Sequence, residues 1–440
     1  MSPSLRNGLR QALFGWLNLA LTAPGVYLWL GLPLVLRQHG WSGTAIGLFQ
    51  LASLPTVFKF LLALPLDRPR AGRGRRGTSR TSGISGTSGT SGTCGTSRTS
   101  GTSGSFGTHC SRYRGWAVAL LLIYAAVLCA LGWRDLLDDK RVLFALATAA
   151  ALAGTWADVP VNALAIRVLP ASSRAWAGGI RSMALCLGAI AGGGLMLVAH
   201  ARWGWQAPFA IMAGALALGA VWTAFVREDG GTVDDAPALN TARVVAYFKR
   251  DDTRRWLPLL ALLFPFIGSG WFFLKPLLLD QGLAPERVAW LVGVAGGGVG
   301  ALASAASARS SKRWRPAVTV PGHAAFGCAA LLALTAAVTL HAPPAVLIAC
   351  AMGIAAAMGA TAALAFSLMM AHARPGLQAL DYGIQSSVFS LTRILVPLAA
   401  GVLMDAAGQG AMLAALAAAS AGVLLLALRT SAKLRLLPRL

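Results

Sequence analysis

Charge is scarce in this chain. Only 12% of its 440 residues are Asp, Glu, Lys or Arg, about half of the ~25% usual in soluble domains. Acids are scarcer still, 15 against 38 Lys and Arg. With 56% of residues hydrophobic and 50 more glycine, a disordered chain is excluded and a soluble enzyme is disfavoured. The signatures of catalysis are missing too. The six histidines form no His-Glu-x-x-His pair, and there is no nucleophile elbow and no phosphate-binding loop. Asp135, Asp138 and Asp139 cluster, but Arg134, Lys140 and Arg141 beside them make this a solvated loop. Of the six cysteines, Cys94 and Cys110 fall in a low-complexity stretch, and Cys129, Cys186, Cys328 and Cys350 fall in apolar runs. None has metal-ligand spacing, and they read as small core hydrophobes. Neither enzyme activity nor a cofactor or metal is expected.

What the chain does have is long apolar runs. Twelve segments are long enough to cross a bilayer: about 11–36, 44–65, 116–133, 142–166, 176–199, 207–226, 256–279, 287–308, 318–340, 345–370, 380–403 and 411–428. None alternates with period two, which excludes barrel strands. No cleavage pattern follows the first run, so it reads as a retained span. Trp41, Trp116, Trp203, Trp205, Trp256 and Trp314 mark segment ends, as an interfacial belt would. The net charge of +23 looks at first like a nucleic-acid binder, but its distribution speaks for topology. With the N-terminus in the cytoplasm, that side carries 28 Lys and Arg and the other side 6. The positive-inside rule then puts both termini in the cytoplasm of a multi-pass inner-membrane protein. The partners expected are the lipid bilayer and a small solute, not nucleic acid.

Two connections interrupt the pattern. Residues 77–111 are a Gly-Thr-Ser triplet repeat with almost no apolar side chain, expected to be a flexible cytoplasmic insert. Residues 227–255 carry six acids and six basic residues and a short amphipathic stretch around Val244–Phe248. They divide the chain into an N-terminal bundle, 1–226, and a C-terminal bundle, 256–440. The halves resemble one another. Pro33-Leu34-Val35-Leu36-Arg37-Gln38 ends segment one, and Pro276-Leu277-Leu278-Leu279-Asp280-Gln281 ends segment seven. Gly179-Ile180-Arg181-Ser182 in segment five matches Gly383-Ile384-Gln385-Ser386 in segment eleven. Internal duplication of this kind marks secondary transporters. Segment one is broken by Pro24-Gly25, Gly31 and Pro33, and segment seven by Pro265, Gly268-Ser269-Gly270 and Pro276. Paired breaks in corresponding helices point to a site and its gates.

Few ionisable groups lie at membrane depth: Lys59, Asp158, Arg181, Lys275 and Arg393. Each costs at least ~2.5–3.5 kcal/mol at a helix centre and needs a partner or a purpose. Four cations against one acid favour an anionic solute. Asp158 and Asn162 share a helix face, with Pro160 between them weakening the backbone ladder. Asp158 is a candidate proton carrier, or alternatively a structural partner of Arg181. Tyr27 and Trp271 are candidates for lining a cavity.

Several of these stretches carry a family likeness. Lys59-Phe60-Leu61-Leu62-Ala63-Leu64-Pro65-Leu66-Asp67-Arg68, followed by an arginine cluster, resembles the loop-2–3 signature of the major facilitator superfamily. Phe58-Lys59-Phe60-Leu61 resembles its muropeptide permease and acetyl-CoA transporter branch, and the related siderophore importers. Asp158-Val159-Pro160-Val161-Asn162, with Arg167 and Leu169-Pro170, resembles the helix-4 motif of that branch. Gly192-Gly193-Gly194 followed by Gly204-Trp205 does so as well. Arg374-Pro375 then Asp381-Tyr382-Gly383-Ile384-Gln385-Ser386 is most similar to the siderophore importers. In two places the chain departs from the pattern. Arg112-Tyr113-Arg114 is separated from its signature by the insert, and Asn162 stands where the branch has a second acid. The resemblance implies two pseudo-symmetric six-helix bundles, alternating access, and a latching role for Asp67 and Arg68. The expected function is secondary transport of a medium-sized anionic organic solute, siderophore-like first and a muropeptide or acyl-CoA-like solute second. Proton co-transport and a monomer are expected, and a non-transporting sensor or scaffold is the alternative of another class.

Overall fold

The computed structural model describes residues 3–41, 49, 51–66, 112–226, 241–374 and 376–434. Asp67, Arg68 and the 77–111 repeat lie outside the described residues. Among the described residues every regular element is helical. Ten stretches are long and apolar enough to cross a membrane. In chain order they begin with Leu5–Leu36 (α1), which is followed by the shorter apolar Leu51–Ala63 (α2). Then come Tyr113–Gly132 (α3), Lys140–Val168 (α4), Arg174–Trp203 (α5), Gln206–Ala224 (α6) and Asp251–Asp280 (α7). Trp290–Arg313 (α8), Pro316–Thr339 (α9) and Pro344–Ala371 (α10) follow. The last stretch, Gln378–Thr430, is two helices. Gly408 sits between them at φ 83°, a left-handed conformation that glycine adopts without Cβ strain, so 378–407 is α11 and 409–430 is α12. The ten stretches thus hold eleven spans, and α2 is the described part of the second segment read from the sequence. This is the all-α, twelve-segment membrane architecture that the hydropathy pattern implies.

Packing within each half is local. In the first half α3 packs on α4 and α6, and α1 on α5 and α6. In the second, α8 packs on α10, and α9 on α10 and on the long α11–α12 element. Some of the breaks read from the sequence interrupt the α-helix, whereas Gly268-Ser269-Gly270 stays helical. α1 opens into a wide π turn at Tyr27–Gly31, between Pro24 and Pro33, and α5 does the same at Ala191–Leu195. A methyl group at Gly31 would overlap the Tyr27 ring and approach the Gly192 carbonyl, so these two turns meet backbone to backbone. α7 is interrupted at Phe264 and Phe273, next to Pro265 and Pro276.

The tryptophan belt needs correction. Trp203 and Trp314 are exposed, as interfacial residues should be. Trp41, Trp205 and Trp256 are buried. Their indole N–H groups donate to Leu137 O at 3.0 Å, Leu131 O at 2.8 Å and Gln385 Oε1 at 2.8 Å. A large ring that can satisfy its one donor inside the protein gains more by packing there.

Candidate functional site

The halves meet along one seam, toward the side that carries both ends of the described chain. α5 crosses α8 and α10 there, while α2 and α4 pack against the long element that begins with α11. Small residues make the crossing close. A Cβ at Gly178 would overlap Ser367 and one at Gly179 would overlap Ala308, both across the halves; within the second half, one at Gly359 would overlap the Gly300 carbonyl. Hydroxyls use that closeness. Ser182 Oγ donates to Gly359 O at 3.0 Å, Ser304 Oγ lies 2.9 Å from Ser182 Oγ, and Ser367 Oγ donates to Ala175 O at 2.9 Å. Farther along, the Phe60 backbone N–H donates to Ser387 Oγ at 3.0 Å and Tyr113 O–H to Gln378 Oε1 at 3.2 Å. Tyr113, stranded by the insert in the sequence, therefore ties α3 to the start of α11.

At the membrane-depth end of this seam lies a charge cluster. Lys59 Nζ is 2.9 Å from Asp158 Oδ2, and Arg181 Nη2 is 3.0 Å from Asp158 Oδ1. Asn162 Nδ2 donates to Asp158 Oδ1 at 2.9 Å and to the Asp158 carbonyl at 2.7 Å. Asn162 thus holds the carboxylate in place from one helical turn away, where a second acid would repel it. The Arg181 guanidinium lies over two rings of the opposite half, Phe366 at 4.6 Å and Tyr382 at 5.3 Å. The three charged side chains keep only 10–13% of their surface exposed. Arg393 lies within electrostatic range of Arg181 and Lys59. Its side chain is exposed. Among the described residues, one acid therefore pairs with two cations while a third lies within electrostatic range of both, and two positive charges are left uncompensated.

Other sequence candidates sit elsewhere. Tyr27 is fully buried and packs edge-on against Phe209 at 5.6 Å, in the core of the first half rather than on a cavity. Trp271 packs toward Gly296 of α8. Lys275 is half-buried on α7 and has no charged group among its interactions, so it is not part of the cluster. Phe366 and Ser387 carry no signal in a single sequence, and Tyr382, though inside a recognised motif, carries none for this contact, because nothing local distinguishes a ring or hydroxyl that crosses to the other half.

A second ion pair lies within the second half, at the turn between α10 and α11. Asp381, fully buried, accepts from Arg374 Nη2 at 2.6 Å, Nε at 2.7 Å and the Arg374 backbone N–H at 2.9 Å. The Arg374 guanidinium stacks 5.4 Å from the Tyr247 ring. Tyr247 belongs to the short helix Thr241–Lys249, the amphipathic stretch of the central connection, whose apolar face lies on Leu380 and Ile384. Beside it, His372 stacks on Trp256, with centroids 5.2 Å apart and planes 13° from parallel. Burial pushes the His372 pKa below its usual value.

Comparison with known proteins places this architecture. The family model described as Major Facilitator Superfamily matches residues 81–397. The chain belongs to the Major Facilitator Superfamily. It is a multi-pass membrane protein of that superfamily. The anhydromuropeptide permease of Escherichia coli K12 is 28% identical over 163 residues, 36% of this chain. The chain spans about a third of the length of the curated relatives it matches, 33% in this case. Among solved structures, the facilitator-superfamily transporter FucP in the outward conformation aligns with TM-score 0.69 at 14% identity, over 97% of this chain and 98% of that one. A bacterial homologue of the iron transporter ferroportin, in an outward-facing state, aligns with TM-score 0.68 at 14% identity, over 97% and 99%. The proton:xylose symporter XylE aligns with TM-score 0.67 at 12% identity, over 95% and 94%. At such identities these three speak for the fold alone.

Proposed function

We propose that this facilitator-superfamily protein is a secondary transporter in the inner membrane. Its solute is a medium-sized organic anion whose acid group pairs with Arg393 and, as the seam opens, with Arg181. The observation carrying this reading is the surplus of charge. Asp158 cannot neutralise Lys59, Arg181 and Arg393 together, and at membrane depth such a surplus is costly unless an anion meets it. Both termini are in the cytoplasm, in keeping with the basic residues on that side. The packed seam then closes the cytoplasmic side, and the exposed Arg393 faces the outward side. Asp158 and Asn162 form the coupling element. While Asp158 is ionised it holds Lys59 and Arg181 in the closed seam, and a proton on it would release them toward the solute. Asp67 and Arg68 act as the seam's latch, as the resemblance of their stretch to the loop-2–3 signature implies. The division into bundles 1–226 and 256–440, joined by 227–255, follows the duplication, and the transporter works as a monomer.

An anhydromuropeptide-like solute is the first choice, since it carries a peptide carboxylate and the aligned 163 residues belong to a permease of that class. A siderophore-like solute rests on the motif around Asp381-Tyr382-Gly383 and ranks second. Binding to the purified protein tests both. An anhydromuropeptide should bind, its carboxylate-amidated form should bind roughly 10–150-fold more weakly, and an iron siderophore should not compete. Equal binding of acid and amide would refute the anion site. Competition by the siderophore alone would reverse the order.

A further inference from the structure

We propose that the groove between α8 and α9 holds one acyl chain of an anionic phospholipid, with its phosphate on Lys312, Arg313 and Arg315. The two helices barely touch each other. α8 packs on α5 and α10, and α9 packs on α10 and the α11–α12 element. Between them, at the terminal end, is a groove of about 260 Å³ walled by Trp314, Val318, Gly322 and Phe326, with His323 at its floor. The floor offers a polar ligand little. His323 Nδ1 is already 2.7 Å from Thr319 O, and Nε2 is 2.8 Å from Ser307 Oγ. Trp314, Val318 and Phe326 remain exposed, so an apolar occupant is what the walls would take.

The mouth of the groove supplies the headgroup chemistry. The turn Lys312-Arg313-Trp314-Arg315 is exposed throughout, and none of its three cations has an ion pair among the described residues. Arg309, one turn earlier, is instead engaged over the Trp176 ring at 5.1 Å. Three unpaired cations beside an interfacial tryptophan and above an apolar slot match a phosphate with an acyl chain beneath it. The shape of the groove also provides a clean perturbation. A Cβ built at Gly322 meets nothing within 4 Å, so a side chain there would fill the groove without displacing protein atoms.

Native mass spectrometry of the full-length protein in detergent tests this, with phosphatidylglycerol and phosphatidylcholine of identical chains as probes. The parent should retain one phosphatidylglycerol at least roughly 10-fold more tightly than phosphatidylcholine. Lys312→Ala/Arg313→Ala/Arg315→Ala should abolish that preference, and Gly322→Leu should weaken retention of both lipids. Circular dichroism and gel filtration would establish that both variants are folded. Glycerol phosphate, which has the headgroup chemistry but no chains, should not displace the lipid. Absence of a preference in the parent, unchanged retention in folded Gly322→Leu, or displacement by glycerol phosphate would overturn the proposal.

Discussion

Replacing Asp158 by Asn is the sharpest perturbation of the charge cluster, because it removes the single acid and leaves both partners. Lys59 and Arg181 each approach one of its oxygens within 3.0 Å, and all three side chains are about nine-tenths buried. Breaking a buried pair by deleting one member costs about 3–5 kcal/mol, since the remaining charge stays desolvated. Here two cations are stranded together, so the upper part of that range applies. Lys59→Met removes one cation instead and leaves the Asp158–Arg181 pair intact, which should cost much less. The double variant should then recover part of the loss, a coupling that additive effects would not produce. Thermal unfolding of the purified protein in detergent, read by tryptophan fluorescence, gives the order: parent most stable, then Lys59→Met, then the double variant, then Asp158→Asn. If Asp158→Asn is as stable as Lys59→Met, the acid is not the shared partner and the electrostatic account fails.

Three further outcomes follow from the seam and the sequence. Gly179→Ala places a methyl group against Ala308 of the other half and should cost the closed seam about 1–3 kcal/mol, raising the labelling rate of a cysteine placed at Ala363; unchanged labelling would show that the crossing is looser than it looks. His372 has a folded pKa pushed down by burial, so its contribution is fully present above the unfolded value of ~6.5 and is lost as pH falls below that toward the folded pKa. His372→Phe should flatten the pH dependence of the unfolding midpoint below about pH 6.5, and an unaltered slope would assign it to another group. Deleting residues 77–111 should preserve membrane insertion and transport, because a Gly-Thr-Ser repeat brings no core-forming side chain; failure to insert would make the segment structural.

The spans were legible because a helix in lipid must be apolar along about 20 residues, and eleven of the twelve segments end within a few residues of the helices. The breaks in α1 and α7 were legible for a related reason, since Pro and Gly act on the local backbone. Contacts between distant segments were not. Asp158 and Asn162 sit four residues apart on one face, but Lys59 reaches Asp158 from 99 residues away, and Phe366 and Tyr382 close over Arg181 from the other half. Tyr27 was misjudged as a lining residue because an aromatic side chain on a wholly apolar helix does not reveal which way it faces. Trp41, Trp205 and Trp256 misled in the same way, since position near a segment end looks alike for an interfacial ring and for one tied to a neighbouring carbonyl.

The central claim, that this transporter moves an anion across the membrane on the Arg181–Arg393 cations, is tested most directly by counterflow in proteoliposomes. Vesicles are preloaded with an unlabelled anhydromuropeptide, and entry of the labelled compound is followed for the parent and Arg393→Gln, with the carboxylate-amidated compound run in parallel. The account predicts rapid counterflow of the acid in the parent, little of the amide, and a roughly 10–150-fold higher half-saturation for the acid in Arg393→Gln. Equal counterflow of acid and amide in the parent, or an Arg393→Gln protein indistinguishable from it, would contradict the account.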